Sequence, residues 1–343
     1  MRPSLRVISN LPRKDTKQSN TTSFMARFNN LPPTTLFDDD DSEYSDPDVI
    51  EDSSAYDDDD DDDDDDLPAV DRRNLNKPAK LAKYAETIFS IARQDISSLT
   101  TSSEQFRLIQ KEITPTMHET AVRWIMIIQK QYGMSNDTLY EAVTYLDTIL
   151  SKWPVREKQL QMVAVTCTWM AAKIEERSVP KLEELSYMCS NEYKADDFVK
   201  CERKLLRILD FRLSFPTSKF FLRRLLDSID AEQNVIEAAS FFCDLALFPI
   251  CFMDYSPNII ALAAVCLGKL CLNEFCPTLR LMAYAHIEEI DEVRKCANSM
   301  LSLAPKILNN PKHVLHSRYS NSSTQSVFQM TLSLDLNKLL STT

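Results

Sequence analysis

The chain has 343 residues, only two of them glycine, and a formal net charge of −12. Gly133 and Gly268 are too few for phosphate-cradling loops or dinucleotide fingerprints, which need several close-set glycines. A β-sandwich or barrel, with its many glycine-dependent turns, is excluded on the same ground. The charge is concentrated: Asp38 to Asp66 holds 19 acids and no Lys or Arg, leaving 32 acids against 39 bases elsewhere. The low pI therefore belongs to one segment and says little about the partners of the rest.

In chain order, residues 1–80 read as a disordered tail. Polar residues and proline dominate up to Phe37, and the acidic block follows, with ten consecutive aspartates from Asp57 to Asp66. Like-charge repulsion and low hydrophobicity keep such a segment from building a core. Helical periodicity begins near Lys80, where Tyr84, Ile88 and Ile91 fall on one stripe. Five helices are expected next, over 117–131, 137–151, 156–174, 181–189 and 195–210, the third apolar nearly all round and hence central to a bundle. After Pro216 five more follow, over 217–228, 231–247, 257–273, 278–286 and 289–303. Two of the ten share stripes of small residues: Ala164, Thr168 and Ala171 in one, Ala261, Ala264 and Gly268 in the other. Small side chains at that spacing let neighbouring helices approach a central one. The pattern predicts an all-α fold built from a duplicated five-helix unit, with a first unit over 81–214 (its preceding helix included), a second over 215–305 and a polar tail over 306–343.

No catalytic constellation emerges. His118, His286, His313 and His316 lack Cys or carboxylate neighbours at metal-ligand spacing, and the nine cysteines contain no CxxC pair. A small apolar core role suits cysteines set in helical patterns, and their odd number suggests a reducing compartment. The longest apolar stretch, Ile259 to Leu272, is interrupted by Lys269 and is too short to span a bilayer. No metal, cofactor, nucleic-acid partner or membrane partner is expected.

Several motifs in a fixed order do stand out. Ile113, Thr114, Pro115 and Met117 precede Trp124, and Tyr145 stands two residues before Asp147. Lys173, Ile174, Glu175 and Glu176 end the first central helix, while Glu202 precedes Leu206, Leu209 and Phe211. Pro216 and the run Phe221 to Arg224 come next, and Ser256-Pro257 opens the second central helix ahead of Ile260 to Ala264. Over roughly Tyr84 to Leu303 the chain resembles a cyclin, most closely the mitotic B-type group. The resemblance implies two tandem five-helix cyclin boxes. It implies a non-enzymatic regulatory subunit that binds and activates a cyclin-dependent protein kinase and helps it reach its protein substrates. In that reading Lys173 and Glu202 are charged anchors on the kinase; Ile174, Leu206 and Phe211 are the apolar contacts around them. Tyr84 and Ile88 belong to the preceding helix that also touches the kinase. Ile174 stands where the family usually has Phe.

The N-terminus carries a separate signal. Arg2, Leu5, Ile8 and Asn10 match the destruction box of mitotic cyclins, which the anaphase-promoting complex recognises before ubiquitination, and Lys14 and Lys17 are nearby acceptors. Such a degron needs an extended, accessible chain. A nuclear and cytoplasmic location follows from the same resemblance. The substrate-docking patch departs from the family: Met117 and Trp124 remain, but Thr120 and Ala121 replace its apolar pair, with His118 and Glu119 between. Short Arg-x-Leu peptides are therefore expected to dock poorly. Asp147 loses the family's arginine partner, and Arg123 or Arg156 is expected to replace it. The alternative reading is a cyclin-fold adaptor or transcription-related module that activates no kinase.

Overall fold

Helix ends in this chain are set by local chemistry. Thr114 accepts a hydrogen bond from the Met117 amide (3.3 Å) and is followed by Pro115, whose missing N–H costs nothing in the first turn. Ser135 and Thr217 cap two further helices through the amides of Thr138 and Phe220. At Ser256 the cap is indirect. Its hydroxyl donates to Asn258 Oδ1 (2.6 Å), and that oxygen takes the Ile259 amide.

A computed structural model describes residues 69–77, 81–96 and 101–319, all within one compact unit. Among them every regular element is helical: α1 (Ala69–Arg72), α2 (Ala85–Ile96), α3 (Ser103–Ile109), α4 (Pro115–Gln131), α5 (Asn136–Lys152), α6 (Glu157–Glu175), α7 (Leu182–Met188), α8 (Ala195–Ile208), α9 (Ser218–Ser228), α10 (Gln233–Leu245), α11 (Pro257–Cys271), α12 (Thr278–Ala285), α13 (Ile290–Leu308) and α14 (Val314–Arg318). Short 3-10 turns at Ala82–Tyr84 and Ile250–Asp254 join them. The ten expected helices are α4 to α13.

Helix α6 packs on α4, α5 and α8, and α11 packs on α9, α10, α12 and α13, so each bundle has the central helix its apolar sequence predicts. Ala164, Thr168 and Ala171 in α6, and Ala261, Ala264 and Gly268 in α11, are all buried. Gly268 is where the approach is closest. A Cβ there would stand 3.0 Å from the Ala239 amide nitrogen of α10.

Two expectations are corrected. The polar tail does not begin at 306: α13 runs through Pro305 to Leu308, and α14 brings Arg318 and Tyr319 back against the core. There Arg318 Nε lies 3.2 Å from Asp244 Oδ2, and the Tyr319 hydroxyl donates to the same oxygen at 2.7 Å. The expectation of a disordered tail over 1–80 also fails at residues 69–77, which are folded against the rest. Asp71 of α1 is buried against the Arg224 guanidinium of α9 in a two-pronged pair, and Arg73 binds Asp230. The stripe of Tyr84, Ile88 and Ile91, which runs from the 3-10 turn into α2, lies mostly outward. Tyr84 and Ile91 are exposed and Ile88 is half-buried, whereas Ala85, Ala92 and Phe89, which stacks on Phe220 at 4.6 Å, make the contacts.

Candidate functional site

Lys173 lies in the last turn of α6, where a cation meets the negative end of the helix dipole. Its ammonium sits 2.6 Å from Glu202 Oε1 on α8 and 3.3 Å above the Trp169 ring. Ion pair and ring together hold a long flexible side chain in one place. Ile174 beside it is 52 % exposed. Leu206, one turn beyond Glu202, is half-buried, and Phe211 is 68 % exposed. Phe211 stands at φ 57°, and its amide bonds the Leu206 carbonyl at 2.9 Å, closing the end of α8. Two fixed charges flanked by exposed apolar side chains form a surface on which a partner's backbone can be gripped and its apolar groups buried.

The linker that follows is held from behind. The Phe215 amide donates to Glu141 Oε1 at 3.3 Å, and the Tyr145 hydroxyl donates to the Leu213 carbonyl. Arg212 reaches Asp95 at the end of α2 (3.3 Å), which brings that helix alongside the same linker. Burial pushes the Glu141 carboxyl up to about 8; the Phe215 amide pulls it back, and the Glu175 charge adds to the rise.

Glu176, the last residue of the Lys-Ile-Glu-Glu run, faces the other way. Its Oε1 accepts from the Ser135 amide (2.6 Å) and the Thr138 hydroxyl, fastening the start of α5. Arg223 and Arg224 are likewise absorbed by the fold: Arg223 pairs with Asp137 and Arg224 with Asp71. These partners are distant in sequence, and nothing local marks them.

The degenerate patch is internal. Met117, Thr120, Ala121 and Trp124 are all buried, and Thr120 donates its hydroxyl to the Thr116 carbonyl at 2.8 Å. Asp147 finds neither Arg123 nor Arg156. His118 lies against it instead, Nε2 to Oδ1 at 2.7 Å, while His118 Nδ1 meets the Phe248 carbonyl at 3.0 Å. A carbonyl only accepts, so Nδ1 carries a hydrogen, and the Nε2–carboxyl contact then holds one further proton. Desolvation raises the Asp147 carboxyl, and the His118 charge opposes the rise. Through Phe248 this pair ties α4 and α5 of the first bundle to the second. Arg156 turns to Gln159, and the Arg123 Nε is buried without a hydrogen-bond partner among the described residues.

No group of three or more His, Cys, Asp or Glu side chains among the described residues is placed to hold a metal, and no described helix is long and apolar enough to cross a membrane. Arg2, Leu5, Ile8, Asn10 and the aspartate run lie outside the described residues.

A tandem pair of five-helix bundles, each wound around a buried central helix, is the class of fold these observations define. The family descriptions "Cyclin, N-terminal domain" and "Cyclin, C-terminal domain" match residues 87–214 and 216–333. The chain belongs to the cyclin family. It is similar to Cyclin-A2-1 of Arabidopsis thaliana (30 % identical over 239 residues, 68 % of this chain and 54 % of the relative). It is also similar to Cyclin-B2-2 of Oryza sativa (26 % identical over 253 residues, 74 % and 60 %). The chain spans about half the length of several curated relatives it matches. Among solved structures, a viral cyclin from herpesvirus saimiri aligns with a TM-score of 0.55 at 16 % identity, covering 62 % of this chain and 94 % of that one. A chain in the crystal structure of the yeast RNA polymerase II CTD kinase complex aligns at 0.54 and 12 % identity, covering 69 % and 86 %. At such identities the likeness speaks for the fold.

Proposed function

We propose that the chain is the regulatory subunit of a cyclin-dependent protein kinase, of the mitotic kind, with no catalysis of its own. The observation that carries this reading is the fixed Lys173–Glu202 pair with exposed Ile174 and Phe211 beside it. Docking there presents two charges to the partner's backbone and buries apolar side chains around them, which favours one orientation of the mobile kinase helix. The exposed Tyr84 and Ile91 on and beside α2, tied to the same linker through Asp95 and Arg212, extend the contact surface. The test is co-purification with a kinase and measurement of its activity. Lys173→Ala combined with Glu202→Ala should weaken binding by roughly 2 kcal/mol or more, about thirtyfold. Unchanged binding and activation by the double variant would reject the assignment. A chain that stays folded yet recruits no kinase would favour the adaptor reading.

The mitotic assignment rests on the run from Phe221 to Arg224 and on Arg2, Leu5, Ile8 and Asn10. In this reading the anaphase-promoting complex takes Arg2 by its charge and Leu5 and Ile8 in apolar pockets, and the protein works in nucleus and cytoplasm. Arg2→Ala with Leu5→Ala should prolong the protein's lifetime after metaphase and leave kinase activation intact. Disappearance on the wild-type schedule would show that another segment carries the signal.

A further inference from the structure

Cys266 and Cys276 stand apart from the other thiols. Cys266 is buried in the middle of α11, and Cys276 is half-buried in the connection between α11 and α12; their sulfurs lie 3.5 Å apart. The pair is in contact but unbonded, since a disulfide closes to about 2.05 Å. One partner is on a rigid helix. The other is on an irregular connection whose Asn273 has φ 54° and whose Phe275 is 69 % exposed, so the approach needs movement on one side only.

The surroundings divide the work between the two sulfurs. The Cys276 thiol is lowered by its hydrogen bond with Cys266, helped by Thr278 and the Lys269 charge and opposed by burial. The Lys269 ammonium is itself placed here by Glu274 (2.5 Å). Cys266 is raised by the same hydrogen bond and by burial, and Cys167, Cys189, Cys201, Cys243, Cys251 and Cys296 are all raised chiefly by burial. A partly exposed, more acidic thiol beside a buried, less acidic one is the arrangement in which one sulfur reacts and the other resolves the product.

We propose that Cys276 and Cys266 are a site of reversible oxidation by hydroperoxides, Cys276 reacting first and Cys266 closing a disulfide onto it. The Cys276 thiolate attacks the terminal OH oxygen of the peroxide, the O–O bond breaks, and alkoxide (hydroxide from hydrogen peroxide) leaves, giving a sulfenic acid. The Cys266 sulfur then attacks the sulfenic sulfur; the S–O bond breaks and the oxygen departs as water with the proton from the Cys266 thiol. Two sulfurs lose two electrons and the peroxide gains them. A small dithiol reverses the reaction by exchange. The bond fastens the middle of α11 to the approach of α12 and fixes the connection that carries Phe275. This site is independent of the kinase-docking reading.

The test uses the full chain, reduced, then treated with hydrogen peroxide, blocked with an alkylating reagent and digested without reductant. Trypsin with a protease specific for Asp and Glu, cutting after Asp254, Lys269 and Glu274, leaves Cys266, Cys271 and Cys276 on three separate peptides. The expected result is a linked peptide joining Cys266 to Cys276, removed by dithiothreitol, with loss of two of the nine free thiols. Cys276→Ser should leave Cys266 unoxidised, and Cys266→Ser should let Cys276 accumulate as sulfenic and then sulfinic acid. Three results would overturn the proposal: Cys276 alkylated as fully after peroxide as before, Cys276 oxidised in the wild type without a link to Cys266, or a dominant link between other cysteines. The wild-type map decides even where a variant fails to fold.

Discussion

Replacing Glu141 with glutamine should flatten the pH dependence of stability. The carboxyl is buried behind the linker between the two boxes; one oxygen takes the Phe215 amide at 3.3 Å and the other has no partner among the described residues. Burial lifts it from 4.5 to about 8. The folded state therefore holds this proton more tightly than the unfolded chain does. The stability it confers is fully present below about pH 4.5 and is lost as pH rises to about 8. Each pH unit in that window costs about 1.4 kcal/mol, so the full interval approaches 5 kcal/mol as an upper bound. The Glu141→Gln side chain would keep an acceptor for the Phe215 amide and never ionises. Urea denaturation at a series of pH values from 5 to 9 reads the difference directly. The two proteins should match within about 1 kcal/mol at pH 5, and the variant should be ahead by several kcal/mol at pH 9. Because every other titrating group is common to both, parallel stability curves would refute the reasoning.

Asp71→Asn leaves the Arg224 guanidinium facing an uncharged amide in a buried site. Breaking such a pair costs about 3–5 kcal/mol, so residues 69–77 should become protease-sensitive while the boxes stay helical; unchanged proteolysis would contradict it. Gly268→Ala forces a Cβ to within 3.0 Å of the Ala239 amide nitrogen and should destabilise the second box by about 1–3 kcal/mol, read as a lower thermal midpoint. A variant as stable as the wild type would mean that α10 yields to the extra methyl.

Most of helices α4 to α13 were legible because they carry a long periodic stripe and, at many starts, a Ser, Thr or Pro signal, while the short α7 and α12 were marked by Pro180 and Pro277 just before them. The central helices were legible because they are apolar all round. What escaped notice was set by contacts distant in sequence. Seven-residue α3 has too few turns for a periodic pattern, and α1 is held by Asp71 reaching a residue 153 positions away. The α2 stripe was real, yet periodicity records where apolar residues lie and cannot say which face finds a partner. Pro305 was read as a boundary although α13 passes through it. Lys173 and Glu202 could be singled out from motif order, but their mutual pairing could not. The exchange of an arginine for His118 concealed which residue meets Asp147, because histidine at that spacing reads as an ordinary helix residue.

Scarcity of glycine has a further consequence. Among the described residues, eight side-chain-bearing positions, Asp210, Phe211 and Asp230 among them, adopt left-handed backbone angles, and Gly133 is the single glycine that does. Each such residue carries a steric penalty of up to about 1–2 kcal/mol that glycine would relieve. At Asp230 a glycine would gain backbone ease but give up the Arg73 contact. At Phe211 the conflict is sharper: the ring that stands out from the end of α8 is displayed by the very backbone turn that strains it. Relaxing that turn with glycine would give a more durable protein that no longer displays the ring. Attempts to harden this protein for handling should therefore begin at Asn191 and Asn273 and leave Phe211 as it stands.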